Sequence, residues 1–187
     1  MPGSAIVVGV VTRTGSGVVV ALSGAADGPW FCGRWEIGLM PPDLAAQPNY
    51  AAAGPDLAAA GQLIGQTGRG AEDAAAAGLR AAADTLPAGA ICGVAVVVKA
   101  VSVPDHLADL LRSRTWMHAA ASIFYRQAGL AAAGRSGWRA YPVEVSALPP
   151  AEQVLAMLGQ LTGRPWRRIE KDAARGAITF LRPAGPG

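Results

Sequence analysis

Three apolar segments at the start of the chain constrain its fold more than any other feature. Residues 5–11 and 18–22 are almost wholly apolar, and residues 30–39 include the alternation Arg-Trp-Glu-Ile-Gly-Leu. The short stretches 14–17 and 25–29 between them are rich in Gly and other turn-forming residues. Apolar segments of this length, separated by turns, predict three sequential strands in an antiparallel meander.

The rest of the chain alternates predicted helices and strands. Residues 90–100 are nearly all apolar, which is typical of a central strand covered on both faces. Residues 40–70 are rich in Pro, Gly and Ala, and predict a loop with one short helix at 57–64. A fifth strand is predicted at 138–145. Helices are predicted at 72–86, 105–111, 115–133 and 166–181, and another helix is predicted to begin after Pro149 and Pro150.

This order, β-β-β-α-β-α-β-α, predicts an α/β fold with a mixed five-stranded sheet and helices on both faces. We expect a single domain over residues 1–182 and a disordered tail at 183–187. The stretch from Thr12 to Gly17 lacks the Lys-Ser/Thr of a Walker A loop, so we interpret it as a hairpin turn.

Composition argues against several classes of protein. No apolar run approaches the roughly 20 residues of a membrane-spanning helix, and the N-terminus lacks the features of a signal peptide. The two cysteines, Cys32 and Cys92, match no metal-binding spacing and are too few for a disulfide framework. We therefore expect a cytoplasmic protein with no membrane partner, and the Ala, Gly and Arg bias is typical of a high-GC bacterial genome.

Positive charge is concentrated in the second half of the chain. Residues 1–99 hold five Lys and Arg against seven Asp and Glu, a net charge of −2, whereas residues 100–187 hold eleven against six, a net charge of +5. A basic half is compatible with a polyanionic partner such as DNA or RNA, and equally with an ordinary solvated surface.

On the helix predicted at 115–133, His118, Ser122 and Arg126 are spaced four residues apart and share one face. In one interpretation they lie in a cleft, where His118 acts as an acid or base and Arg126 holds a phosphate or carboxylate. In the other, His118 caps or hydrogen-bonds core backbone and Arg126 is a surface residue. Both interpretations stay open at this point.

The last predicted helix places Arg168, Asp172 and Arg175 on one face, where the carboxylate can pair with both arginines. Arg164, Arg167 and Lys171 would extend this face into a rim that contacts phosphates. Trp166 could stack on a base, or anchor the start of the helix in the core.

Two stretches in this half carry a resemblance to a known family. They are Ser113-Arg-Thr-Trp-Met-His118-Ala-Ala-Ala-Ser-Ile-Phe-Tyr-Arg126 and Gly163-Arg-Pro-Trp166-Arg-Arg-Ile169-Glu-Lys171. The chain resembles the ribonuclease H-like superfamily in element order, and these stretches resemble a bacterial family of RuvC-like proteins of unestablished activity. The family pattern has His-Ala, aromatic-Arg, Gly-Pro-Pro-Trp and Asp-Gln-Lys. The resemblance covers about 70 residues and implies a ribonuclease H-like fold.

The chain departs from the superfamily where catalysis would occur. Ribonuclease H-like nucleases hold two divalent metals with carboxylates, one of them on the first strand. Here no Asp or Glu precedes Asp27, and Ile169 occupies the position of the family's Asp. The neighbouring Asp172 would replace it only if the helix were rotated by most of a turn. The resemblance therefore indicates a degenerate member, with no metal site and no cofactor.

Three functions follow as hypotheses. The first is a non-catalytic or degenerate domain that binds nucleic acid or a protein partner. Its phosphate contacts would be Arg112, Arg114, Arg126, Arg164, Arg167, Arg168 and Lys171. The second is a structure-selective, Mg-dependent nuclease with an atypical site of His118, Glu144 and Asp172. The third is a structural subunit that assembles into a homo-oligomer.

Overall fold

The computed structural model describes residues 5–54, 56–87, 91–162 and 166–181. The predicted tail at 183–187 and the predicted phosphate contact Arg164 lie outside these residues.

Five strands form one mixed sheet in the order β3-β2-β1-β4-β5. The strands are β1 (Ile6–Arg13), β2 (Ser16–Ala25), β3 (Gly28–Gly38), β4 (Ile91–Val98) and β5 (Ala140–Glu144). β1 pairs with β2, and β2 with β3, in antiparallel fashion, whereas β4 is parallel to both β1 and β5. The predicted meander, the central position of β4 and the mixed five-stranded sheet are confirmed.

The hairpin between β1 and β2 turns through Thr14 and Gly15. Gly15 has φ of +73°, a conformation that glycine adopts without steric cost. The interpretation of this segment as a hairpin turn is therefore confirmed, and it leaves Thr12 and Thr14 at the carboxyl end of β1.

The described residues include six α-helices that accompany the sheet. They are α1 (Pro48–Ala51), α2 (Leu57–Ala83), α3 (Leu107–Leu111), α4 (Arg114–Arg135), α5 (Glu152–Thr162) and α6 (Arg168–Ile178). A 3-10 turn at Val145–Ala147 follows β5. None of the helices in the described residues is long and apolar enough to cross a bilayer.

The prediction of a loop reaching to Gly70 was wrong, because α2 runs without a break over 27 residues. The carboxylate of Asp56 caps its start by accepting N–H hydrogen bonds from Ala58 and Ala59 at 2.9 and 3.0 Å. Glycines inside a helix cost about 1 kcal/mol each, which is why the sequence suggested a loop. Packing against α4 compensates: a Cβ on Gly68 would already be in van der Waals contact with the Phe124 ring.

The helices cover both faces of the sheet, as predicted. On one face, side chains of Val8 and Val10 from β1 pack with residues of α2 and α4 such as Leu79 and Tyr125. On the other, Val7 packs with residues of α5 and α6. Successive strand residues point to opposite faces, so α4 and α6 lie on opposite sides of the sheet.

Helix α6 approaches β1 more closely than a side chain would allow. A Cβ on Gly9 would overlap the carbonyl oxygen of Ala173, and a Cβ on Gly176 would lie 2.8 Å from Val97 Cγ2. The buried alanines Ala173 and Ala177 complete this contact. Small residues on both elements therefore allow α6 to pack directly against the sheet. The β1 residues that face α6 are Val7, Gly9 and Val11.

Candidate nucleic-acid interface

Polar residues form one continuous stripe along α4. Arg114, His118, Ser122 and Arg126 follow one another at intervals of four residues, and we call this set the α4 stripe. At 1.5 Å per residue it extends over about 18 Å. The helix begins at Arg114, one residue earlier than predicted, and the Ser113 hydroxyl caps it by accepting the Trp116 N–H at 3.4 Å.

The cations near the α4 stripe have few acidic partners. The 22 residues of α4 include no Asp or Glu. Within the part of the chain that the structure describes, Arg114 and the nearby Lys99 make no ion pair. Arg126 donates a hydrogen bond to the Lys99 carbonyl oxygen at 3.0 Å, and Arg112 pairs with Asp109 at 3.3 Å on the open surface. This region therefore carries uncompensated positive charge.

A small cavity opens beside the middle of the α4 stripe, between α4 and the β1–β2 turn. Its volume is about 210 Å³, and its lining residues are Thr12, Arg13, Thr14, His118, Ala121, Ser122 and Tyr125. His118 is exposed here, so it does not cap core backbone, contrary to one of its two interpretations. Thr12 is the last residue but one of β1, and Lys99 follows β4. This region therefore lies at the carboxyl ends of the parallel strands, where open α/β sheets bind ligands.

The second predicted contact surface lies at the start of α6, and carboxylates of this helix pair with two of its three cations. We call Arg167, Arg168 and Lys171 the α6 rim. Arg167 donates from Nε and Nη2 to Glu170 Oε1 at 3.1 and 3.0 Å. Arg168 lies 3.7 Å from Asp172, while Lys171 is exposed and makes no ion pair with the described residues.

Glu170 is the buried centre of the ion pairs at this end of α6. Only 4% of its surface is exposed, and Arg34 on β3 approaches the same oxygen, Oε1, at 3.8 Å. Burial acts to raise the pKa of the Glu170 carboxyl, but the Arg167 hydrogen bonds and the charges of Arg167 and Arg34 outweigh it, so that the pKa is lowered. Arg34 thus forms an ion pair between the sheet and α6, while the neighbouring Glu36 accepts a hydrogen bond from Arg13 at 2.9 Å.

The predicted pairing of Asp172 with its two arginines is confirmed, at 3.7 Å to Arg168 and 3.6 Å to Arg175. Arg175 is more than a surface partner. Its guanidinium donates to the carbonyl oxygens of Pro149 and Leu148 at 2.7 and 2.9 Å. These hydrogen bonds connect α6 to the segment that precedes α5. Beside these residues, a cleft of about 910 Å³ separates α5 from α6 and includes Lys171 and Glu152 in its lining.

Trp166 packs in the core and is not available to stack on a base. It is 7% exposed, its ring lies edge-on to Phe31 with centroids 6.0 Å apart, and its indole N–H donates to Thr162 Oγ1 at 2.7 Å. The interpretation of Trp166 as a base-stacking residue was therefore wrong. The exposed indole near the candidate interface is Trp116, 41% exposed in the first turn of α4.

The three residues of the hypothetical nuclease site are not brought together. His118 lies on α4 and Asp172 on α6, on opposite faces of the sheet, while Glu144 ends β5 and accepts a hydrogen bond from Ser146 at 3.2 Å. Among residues 5–54, 56–87, 91–162 and 166–181, no group of three His, Cys, Asp or Glu side chains could hold a metal ion. The side chains present therefore do not fit the two-metal centre that ribonuclease H-like nucleases use.

Comparison with solved structures identifies the architecture. One similar structure is Thermus thermophilus RuvC in complex with a Holliday junction substrate, with a TM-score of 0.52 and 16% identity over 94% of this chain and 91% of that one. The fold is ribonuclease H-like. Another structure of Thermus thermophilus RuvC has a TM-score of 0.49 and 14% identity, covering 93% of this chain and 92% of that one. Neither protein-family profiles nor curated proteins gave a match.

Three residues of the α4 region were missed by the sequence analysis. Thr12 and Thr14 looked like ordinary hairpin residues, and Lys99 looked like the end of a strand. Only the parallel pairing of β4 with β1 places Lys99 and Thr12 at the same edge of the sheet. The absence of carboxylates from residues 114–135 was visible in the sequence, and would have singled out α4 as the more basic surface.

Proposed function

We propose that this ribonuclease H-like domain binds nucleic acid through the α4 stripe, without two-metal catalysis. The observation that carries the proposal is the unpaired positive charge on and beside α4: Arg114 on α4 and Lys99 after β4 lack acidic partners in the described residues, and α4 has no carboxylate of its own. Phosphate contacts made by such cations supply most of the affinity in non-specific binding.

The shape of the stripe suits a nucleic-acid backbone. Its length of about 18 Å corresponds to about five nucleotides of one strand, at 3.4 Å per nucleotide along the helix axis. Arg112 extends the stripe beyond the start of α4, and Trp116 adds an exposed indole of the kind that stacks on unpaired bases. Arg167, Arg168 and Lys171 belong to the proposed contacts as a secondary surface, since carboxylates hold two of the three.

The nuclease alternative gains no support from the positions of His118 and Asp172, which lie on opposite faces of the sheet. On β1, the residues facing α6 are apolar or glycine, and Gly9 leaves no space for a carboxylate. We therefore include the loss of two-metal catalysis in the proposal.

An electrophoretic mobility shift assay tests this function. The labelled ligands are a four-way DNA junction, a duplex and a single strand, each in low and moderate salt and with either Mg²⁺ or EDTA. We expect a shift that weakens steeply as salt rises, with the labelled strands left intact. An affinity that does not depend on salt, or no binding to any of the ligands, would contradict the proposal. Cleavage that requires Mg²⁺ would contradict the proposed loss of two-metal catalysis.

A matched pair of variants locates the surface. Arg114→Ala removes one charge from the α4 stripe, and Arg80→Ala removes one from the exposed last turn of α2. We expect the first to weaken binding several-fold and to lower the slope of log K against log salt by about 1, with little change for the second. Equal effects would mean that net charge, and not the stripe, determines binding.

A further inference from the structure

We propose that the cavity between the β1–β2 turn and α4 binds a single phosphoryl group, held by the hydroxyls of Thr12, Thr14 and Ser122 and by the His118 imidazole. The inference rests on the proposed function in one respect: it assigns the group to a backbone phosphate of the nucleic acid lying along the α4 stripe. The cavity itself is defined by its own lining residues.

The size of the cavity restricts its ligand. Its volume of about 210 Å³ is below the roughly 300–1,000 Å³ of pockets that bury a drug-sized molecule. The cavity is therefore smaller than a pocket that encloses a whole nucleotide, and one tetrahedral oxyanion fits in it.

The chemistry of the lining favours an anion over a cation. No carboxylate lines the cavity, and hard cations such as Mg²⁺ need several oxygen ligands, usually including carboxylates. Burial raises the pKa of the Tyr125 hydroxyl, which keeps this lining group neutral while it donates to the Ala46 carbonyl oxygen. Arg13 contributes little charge directly, since Glu36 holds its guanidinium.

The remaining donors are available and are placed by rigid elements. The side chains of Thr12, Thr14, Ser122 and His118 make no hydrogen bond to any described residue, although each lines the cavity. The Thr12 methyl lies 3.6 Å from a Cβ built on Gly129, so the Thr12 side chain points towards α4. Ser122 and His118 project from the same face of α4, one turn apart.

The position of the cavity connects it with the proposed interface. It lies at the middle of the α4 stripe, with Arg114 one turn before His118 and Arg126 one turn after Ser122. A backbone phosphate bound in the cavity would leave the phosphates on either side near these two arginines. The cavity would therefore help to fix the register of a strand along α4, as phosphate contacts do in nucleic-acid complexes.

NMR titration of the isotope-labelled full chain tests the inference. Inorganic phosphate is the first probe and a short single-stranded DNA is the second. We expect phosphate to shift the backbone amides of Thr12, Thr14 and Ser122, and DNA to shift these amides together with those of Arg114 and Arg126. Shifts from phosphate that spare the cavity, or no shift in the millimolar range, would overturn it.

Variants that remove single hydroxyls sharpen the test. Ser122→Ala and the isosteric Thr12→Val should each weaken phosphate binding about tenfold, as expected for a hydrogen bond to a charged group. Ser136→Ala, at the C-terminal end of α4 and outside the cavity lining, removes a hydroxyl that donates to the Ala132 carbonyl oxygen and should leave phosphate binding unchanged. Equal thermal unfolding midpoints for the three variants would show that each is folded.

The two probes separate this inference from the proposed function. Phosphate binding in the cavity without any DNA binding would support the phosphoryl site and overturn the nucleic-acid assignment, leaving a free phosphate or phosphomonoester as the ligand. DNA binding that is unaffected by Ser122→Ala and Thr12→Val, with no phosphate bound in the cavity, would leave the proposed function standing and overturn the inference.

Discussion

Helices α4 and α6 each include three cationic residues, but these residues differ in how they pair with carboxylates. Arg114, Arg126 and Arg135 lie on a helix without a carboxylate, and among the described residues only Arg135 of these three forms an ion pair, with Asp73 of α2 at 2.9 Å. Helix α6, in contrast, includes both Glu170 and Asp172. On α6 the carboxylates pair with Arg167, Arg168 and Arg175, and Arg175 also binds two backbone carbonyl oxygens. The same kind of residue therefore stabilises the packing of α6 and leaves a charged surface on α4.

The difference follows from how closely each helix lies against the sheet. Helix α6 rests on glycine and alanine, which brings its polar groups close to the sheet and buries Glu170. A charge that is removed from water needs a partner, and Arg34 and Arg167 supply it. The stripe on α4 faces solvent, so nothing requires its cations to be paired.

Among the variants that test how closely α4 and α6 lie against the sheet, Gly9→Ala should have the largest effect on stability. The new methyl group would overlap the backbone of α6 at Ala173, so one of the two elements must move, and we expect a loss of at least about 3 kcal/mol in the free energy of unfolding. Urea denaturation measures it. Gly129→Ala, at the contact of α4 with the sheet, meets neighbours only at 3.6–3.9 Å and should be neutral or stabilise by up to about 1 kcal/mol. Similar losses in both variants would contradict the closer packing of α6.

Glu170→Gln should cost about 2 kcal/mol at neutral pH, because it removes the charge that two arginines share. The pKa of Glu170 is lower in the folded protein than its ordinary value of 4.5, so the folded state binds this proton less tightly than the unfolded chain. The stabilisation is therefore fully present above pH 4.5 and is lost as the pH falls through the lower, folded pKa.

Urea denaturation of both proteins as a function of pH checks this prediction. The difference between wild type and Glu170→Gln should be constant above the ordinary pKa and shrink in more acidic solution. Glu152→Gln, at an exposed position on α5 without an ion pair to the described residues, is the control and should change stability little. A difference that does not depend on pH would show that the Glu170 charge is not what stabilises α6.

Two double variants compare the surfaces in binding. Lys99→Ala with Arg114→Ala removes two unpaired charges, and we expect about tenfold weaker binding to single-stranded DNA and a salt slope that is lower by about 1.4. Arg167→Ala with Arg168→Ala removes two paired charges, and a change of no more than about threefold is expected, since carboxylates already offset them. Fluorescence anisotropy at several salt concentrations measures both. Equal losses would place the interface on both faces of the sheet.

Arg168→Ala should have the smallest effect on stability. The Arg168 side chain is 87% exposed and lies 3.7 Å from Asp172, and surface pairs of this kind contribute about 0–1 kcal/mol. A change below about 0.5 kcal/mol in urea denaturation is expected. A loss comparable to that of Glu170→Gln would mean that the α6 rim is a cooperative ion network, and not one buried pair with exposed neighbours.

Much of the fold was predictable because local patterns specify it. Alternation and turns gave β1 to β3, and the apolar run of β4 indicated its central position. The glycines of α2 misled the prediction, since the packing that compensates for them is with α4, far away in the sequence. The burial of Glu170 was also unpredicted, because it depends on the packing of α6 on the sheet, where Arg34 of β3 joins Arg167 as a partner of the carboxylate.

The sequence by itself determined the order of the elements, the apolar core strands and the presence of cations on the last helices, because each depends on residues close together in the chain. Tertiary structure decided which cations are paired, that Trp166 is buried, and that Thr12 and Ser122 line one cavity. These properties depend on distances between elements more than 100 residues apart, such as β1 and α4. Strand pairing and helix packing set those distances, and no local pattern encodes them.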